Sequence, residues 1–121
     1  IKLNDGSLGY KVSGKDLPLA LRAILADARV SRENLNILLE NRSGKASIET
    51  EVGEIVDVIG GKIASVVKGN IEDTDCTIYG SSKTVTYQVI ARIFSCKTKP
   101  KLDNYNFDIV LRIGVGFATR Y

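Results

Sequence analysis

The sequence contains no histidine, tryptophan or methionine, and only two cysteines and two prolines. Without histidine, Ser-His and Cys-His nucleophile systems are excluded, and so is the commonest proton shuttle at neutral pH. Two cysteines fall short of the four Cys/His ligands of the usual zinc sites, so no metal and no cofactor is expected. Carboxylate-bound Mg²⁺ or Ca²⁺ remains open in principle. No apolar run approaches the roughly 20 residues that cross a bilayer, so an integral membrane protein is not expected. There is no repeat and no low-complexity tract. The opening Ile1-Lys2-Leu3-Asn4-Asp5-Gly6 has the pattern of neither a signal nor a transit peptide, and the missing initiator methionine suggests a processed or trimmed chain.

What is present describes a globular chain. Its 121 residues, 44% hydrophobic and 26% charged, fit one domain able to bury about two-thirds of its unfolded surface. The net charge of +3 is mild and falls short of a dedicated nucleic-acid footprint. It is unevenly placed, however. From Lys83 to Tyr121 seven basic residues stand against only Asp103 and Asp108, whereas Glu49 to Asp75 is acidic.

Leu8, Tyr10 and Val12 alternate and predict an N-terminal strand or hairpin within Ile1–Ser13. Asp16 can cap a helix in which Leu17, Leu21, Ile24, Leu25 and Ala28 share a face, ending near Arg29. Ser31–Asn41 supports two readings. Leu35, Leu38 and Leu39 have helical spacing, while Leu35–Glu40 also reads as a strand turning at Asn41-Arg42-Ser43-Gly44. The helix is preferred because Asn34 and Asn36 are poor in strands. Val52, Ile55, Val56, Ile59, Ile63, Val66 and Val67 predict a helix over Thr50–Gly69, despite Gly60-Gly61 at its centre. The last third reads as β: Cys76–Tyr79, a turn at Gly80-Ser81-Ser82, then long strands over Thr84–Cys96 and Tyr105–Phe117. The expected fold is therefore α+β. An antiparallel sheet, a C-terminal meander of about three strands plus the N-terminal strand or hairpin, carries two or three helices on one face.

Cys76 and Cys96 stand at the start of one predicted strand and the end of the next. Antiparallel pairing would bring them within disulfide reach, and such a bond would indicate a periplasmic or extracellular setting. Two unlinked cysteines serving as small apolar residues, as in cytoplasmic proteins, is the other reading. Asn41-Arg42-Ser43 is a formal glycosylation sequon of little weight.

The window Glu54-Ile55-Val56-Asp57-Val58-Ile59-Gly60-Gly61 resembles the helix of the CheC/CheX family of chemotaxis phosphatases, where a Glu and an Asn three apart precede a small-residue pair. The resemblance implies that Glu54 would help bind a phosphorylated response regulator. Asp57 stands where the family has the amide that orients the attacking water. A carboxylate only accepts hydrogen bonds and would repel the phosphoryl group.

Lacking a coherent catalytic set, the chain reads first as a non-enzymatic interaction or assembly domain of an envelope, secretion or virion complex. Its expected partner is another protein or a second copy, joined through a sheet edge, with Ile109 and Leu111 on the strand expected to lie there. A phosphatase using Glu54 is the alternative. A further one is weak nucleic-acid binding through Arg92, Lys97, Lys99 and Lys101 beside the aromatics of the last strands.

Overall fold

The computed structural model describes residues 28–120, so the expected N-terminal strand and most of the helix following Asp16 lie outside the described residues. The described residues form an α+β fold in the order α1 (Ala28–Glu33), β1 (Ile37–Asn41), α2 (Ser47–Val58), β2 (Ile63–Lys68), β3 (Cys76–Tyr79), α3 (Val85–Phe94), β4 (Lys97–Lys99), β5 (Ile109–Ile113) and α4 (Val115–Arg120). Among them no helix is long and apolar enough to cross a membrane.

The strands make one five-stranded sheet, ordered β2-β1-β5-β3-β4. β1 runs parallel to both β2 and β5, β3 runs parallel to β4, and the β3–β5 pair is antiparallel. The expected antiparallel meander is thus replaced by a mixed sheet. The reason is topological: two of the three parallel pairs are joined directly by a crossover helix, giving β1-α2-β2 on one side of β5 and β3-α3-β4 on the other.

Several predicted elements change type or length. Helix α1 continues past Arg29 to Glu33 and stops at Asn34, whose φ of 49° is the left-handed conformation that asparagine tolerates. Ile37–Asn41 is then a strand, not the preferred helix, and all five of its residues are buried. The predicted helix over Thr50–Gly69 begins at Ser47 but ends at Val58. Gly60, at φ 100°, donates its N–H to Asp57 O at 3.0 Å, and the Gly61 N–H reaches Val56 O at 2.9 Å. These two bonds close a Schellman motif, so the paired glycines end the helix and release Ile63–Lys68 as β2.

The predicted strand over Thr84–Cys96 is helix α3. Its β-branched and aromatic content misleads, but Thr86, Tyr87, Ile90 and Phe94 recur at helical spacing and are the buried residues. Phe107 and the rest of 105–108 precede β5, and Gly114 ends it before α4. Strand β5 is therefore the centre of the sheet.

One face of the sheet carries Ile37, Leu39, Ile78, Ile109, Leu111 and Ile113 against α2 (Ile48, Val52, Ile55, Val56, Ile59), α3 (Tyr87, Ile90, Phe94) and Phe117 of α4. Helices do cover one face, as the helical periodicities indicate. The Phe94 and Phe117 rings meet edge-on at 5.7 Å. Burying each such side chain contributes about 1.5–3 kcal/mol, which places the stability of the domain in this layer.

Candidate interaction site: the free edge of the sheet

Because β5 is central, the expected interaction strand is not at an edge. Ile109 and Leu111 are buried in the core, and both ladders of β5 are occupied, by β1 and β3. Proline there would break the sheet rather than probe association. Among the described residues the sheet instead ends at β2 on one side and β4 on the other.

β2 pairs with β1 on its inner side and, among the described residues, with nothing on its outer side. The register shifts between Ile37 and Leu38, so that Ile37 faces Ile63 while Leu38 faces Ser65. The extra residue, Ala64, explains why simple alternation fails along this strand. Beyond the bulge Val66 shares a face with Leu39 and Val67 with Glu40. Val66 and Val67 remain 43% and 42% exposed, and Ile71, just past the strand, is 68% exposed. These are the exposed large apolar side chains among the described residues. The backbone direction is set at the strand's end, where the Gly69 N–H donates to Asn41 O at 3.1 Å. By strand alternation Val67 and Ser65 point their amides the same way, and Val66 and Lys68 point theirs outward.

The opposite edge is short and basic. β4 is Lys97-Thr98-Lys99, all three exposed. Lys97 and Lys99 register with Thr77 and Tyr79, which places both lysines on the sheet face away from the helices. Lysines on an edge strand discourage pairing with a neighbouring chain. Of the remaining predicted basic residues, Lys101 follows β4, while Arg92 lies exposed in the last turn of α3.

Cys76 and Cys96 are joined by a disulfide, with Cα atoms 4.6 Å apart. The geometry differs from the one expected. Thr77 registers with Lys97 in a parallel pair, so Cys76, the first residue of β3, and Cys96, just before β4, lie side by side at the starts of neighbouring parallel strands, and the bond closes the β3-α3-β4 unit at that end.

Across the seam between β1 and β5, Glu40 and Arg112 are register partners on the face away from α2 and α3. Glu40 is 5% exposed. Its Oε1 accepts from Arg112 Nε at 2.5 Å and its Oε2 from the Tyr105 hydroxyl at 2.9 Å. Arg112 Nη1 also donates to the Tyr79 hydroxyl at 3.0 Å. Burial disfavours the guanidinium charge, but the hydrogen bond and charge of Glu40, with Tyr79 and Tyr105, more than offset this and raise the Arg112 pKa. Both Glu40 oxygens are committed, so the carboxylate clamps the strands together. Neither Glu40 nor Arg112 stands out in the sequence, where Arg112 is one more basic residue on an alternating strand.

Glu33, at the end of α1, caps α3 from a distance of 52 residues in sequence. Its carboxylate accepts from the Val85 N–H at 2.7 Å, the Thr86 N–H at 2.7 Å and the Thr86 hydroxyl at 2.6 Å. Burial alone would raise its pKa. The three hydrogen bonds and the charge of Arg29 outweigh that and hold it below the usual glutamate value.

Glu54 is half-buried and Asp57 exposed on α2. Among the described residues neither carboxylate has a hydrogen-bond or ion-pair partner. No group of three or more His, Cys, Asp and Glu among the described residues is placed to hold a metal. The Asn41 side chain of the sequon is 4% exposed and donates to Lys45 O at 3.1 Å and Glu49 Oε2 at 2.8 Å, so it faces inward rather than toward a glycosylating enzyme. Compared with known proteins, the chain matches no family model, no curated protein and no solved structure.

Proposed function

We propose that this domain is an interaction or assembly module that accepts a strand from another chain along the outer edge of β2. The observation that carries this reading is the coincidence of a strand edge with no partner among the described residues and exposed Val66, Val67 and Ile71. Main-chain hydrogen bonds would supply affinity, and the two valines, one on each face of the sheet, would supply apolar contact. The bulge beside Ala64 confines the regular part of the edge to its second half. The occupant is a strand of a protein partner or of a second copy.

Val66→Pro separates folding from association. Its amide points away from β1, so proline leaves the inner ladder intact while removing an outward donor and blocking close approach. A peptide copying residues 62–68 serves as strand probe, and sedimentation across a concentration series reads self-association. The wild type is expected to self-associate or to take up the peptide, and folded Val66→Pro to do neither. Identical behaviour of the two proteins would overturn the reading.

A further inference from the structure

We propose that the C-terminal ends of β3 and β4 form an anion site for a small ligand bearing a multiply charged phosphate group. Between the loop Gly80-Ser81-Ser82-Lys83 and the segment leaving β4 lies a shallow depression of about 450 Å³, with Lys83 on one wall and Lys99 and Lys101 on the other. From Cys76 to Leu102 the chain carries Lys83, Arg92, Lys97, Lys99 and Lys101 and not one Asp or Glu. Ordinary solvated surfaces intersperse the two signs. The depression opens at the carboxyl end of β3, where the chain leaves for α3.

The loop is fixed rather than loose. A Cβ on Gly80 would stand 2.8 Å from Tyr87 Cδ2 and 3.3 Å from Asp108 O. Tyr87 in turn donates its hydroxyl to Lys99 O at 3.0 Å, and the Gly80 N–H donates to the same carbonyl at 3.2 Å. These bonds hold the two walls together. The first amides of α3 are already occupied by the Glu33 carboxylate, so the helix end does not supply the donors. They come instead from the lysines and from the Ser81 and Ser82 N–H groups, which have no acceptor among the described residues. Lysine acts as a point charge without bidentate geometry, so recognition follows charge more than shape. A compact ligand is favoured over an extended strand of nucleic acid. Arg92, in the last turn of α3, sits at the far end of the β3-α3-β4 unit and does not continue a track from the three lysines.

The test is an NMR titration of the isotope-labelled chain with inorganic pyrophosphate. Saturable shifts are expected at the Ser81 and Ser82 amides, with affinity that falls as salt rises. Lys83→Gln combined with Lys101→Gln should weaken binding at least tenfold, whereas Arg92→Gln should not change it. Absence of saturable shifts would overturn the site. So would insensitivity to the double substitution, or an equal loss with Arg92→Gln, which would indicate a diffuse basic face. Tighter, Arg92-dependent binding of an oligothymidylate would assign the surface to single-stranded nucleic acid instead. The site lies at the edge opposite β2 and is independent of strand addition there.

Discussion

The two crossover units on either side of β5 are built on the same plan and differ in almost everything else. In β1-α2-β2 the helix bears Glu49, Glu51, Glu54 and Asp57, ends in a glycine-based stop, and leads to an apolar edge strand. In β3-α3-β4 there is no acidic residue, the helix is capped from α1, a disulfide ties the unit at one end, and the edge strand carries lysines. One plan thus yields an edge strand with exposed valines and an edge strand whose lysines discourage pairing. The difference lies in side chains at a few exposed positions, since both helices bury similar apolar faces against a shared core.

The comparison breaks most severely at the seam between the units. Glu40→Ala should leave Arg112 half-buried without its carboxylate and cost about 3 kcal/mol or more, read as a drop in the urea midpoint. Glu40→Gln, which keeps an acceptor, should cost less. Next in size is the disulfide. Replacing Cys76 and Cys96 together by serine should lower stability by about 3 kcal/mol, the effect of closing a loop of this length. Hydrogen exchange should then rise first in β3-α3-β4, while β1-α2-β2 keeps its protection. A uniform rise across both units would show that they unfold as one.

A smaller effect, about 1–2 kcal/mol, is expected when Glu33→Ala uncaps α3. Its pH dependence has a definite sign. The carboxyl is depressed on folding, so its contribution is complete above the unfolded value of about 4.3 and fades as pH falls through the lower folded value. Glu33→Gln should therefore flatten the acid limb of the stability profile and leave the limb above neutrality unchanged. The smallest effect concerns the end of α3. Ser95 holds φ 54° where glycine is usual, and the Cys96 N–H reaches Ala91 O at 2.9 Å in the same stop seen after α2. Ser95→Gly should raise stability by about 0.5–1 kcal/mol, seen as a shift in Tm.

How far the sequence reveals this architecture depends on whether each signal is local. Cys76–Tyr79 and the turn after it are legible because alternation and turn chemistry stand side by side. The disulfide is legible as a pair, although the reason is parallel neighbours and not an antiparallel hairpin. Helix α3 is not legible from propensity, because its start is secured by Glu33, far away in the chain, and no capping box appears beside Thr84. The β2 edge is obscured in another way. Ile63, Val66 and Val67 continue the helical spacing of α2 past Gly60-Gly61, and the bulge removes the alternation that would mark a strand. The last long strand is a natural choice of interaction edge from sequence, yet its core Ile109-Val110-Leu111 is a continuous apolar run, fully buried, which is the pattern of a central strand rather than an edge.

Amide hydrogen exchange in the dilute protein reads directly whether the outer edge of β2 is open. The outward Val66 and Lys68 amides should exchange far faster than those of Val67 and Gly69, which point toward β1, and should slow once the protein is concentrated or given the strand peptide. Protection of Val66 and Lys68 equal to that of Val67 and Gly69 in dilute protein would show the edge already covered and contradict the account.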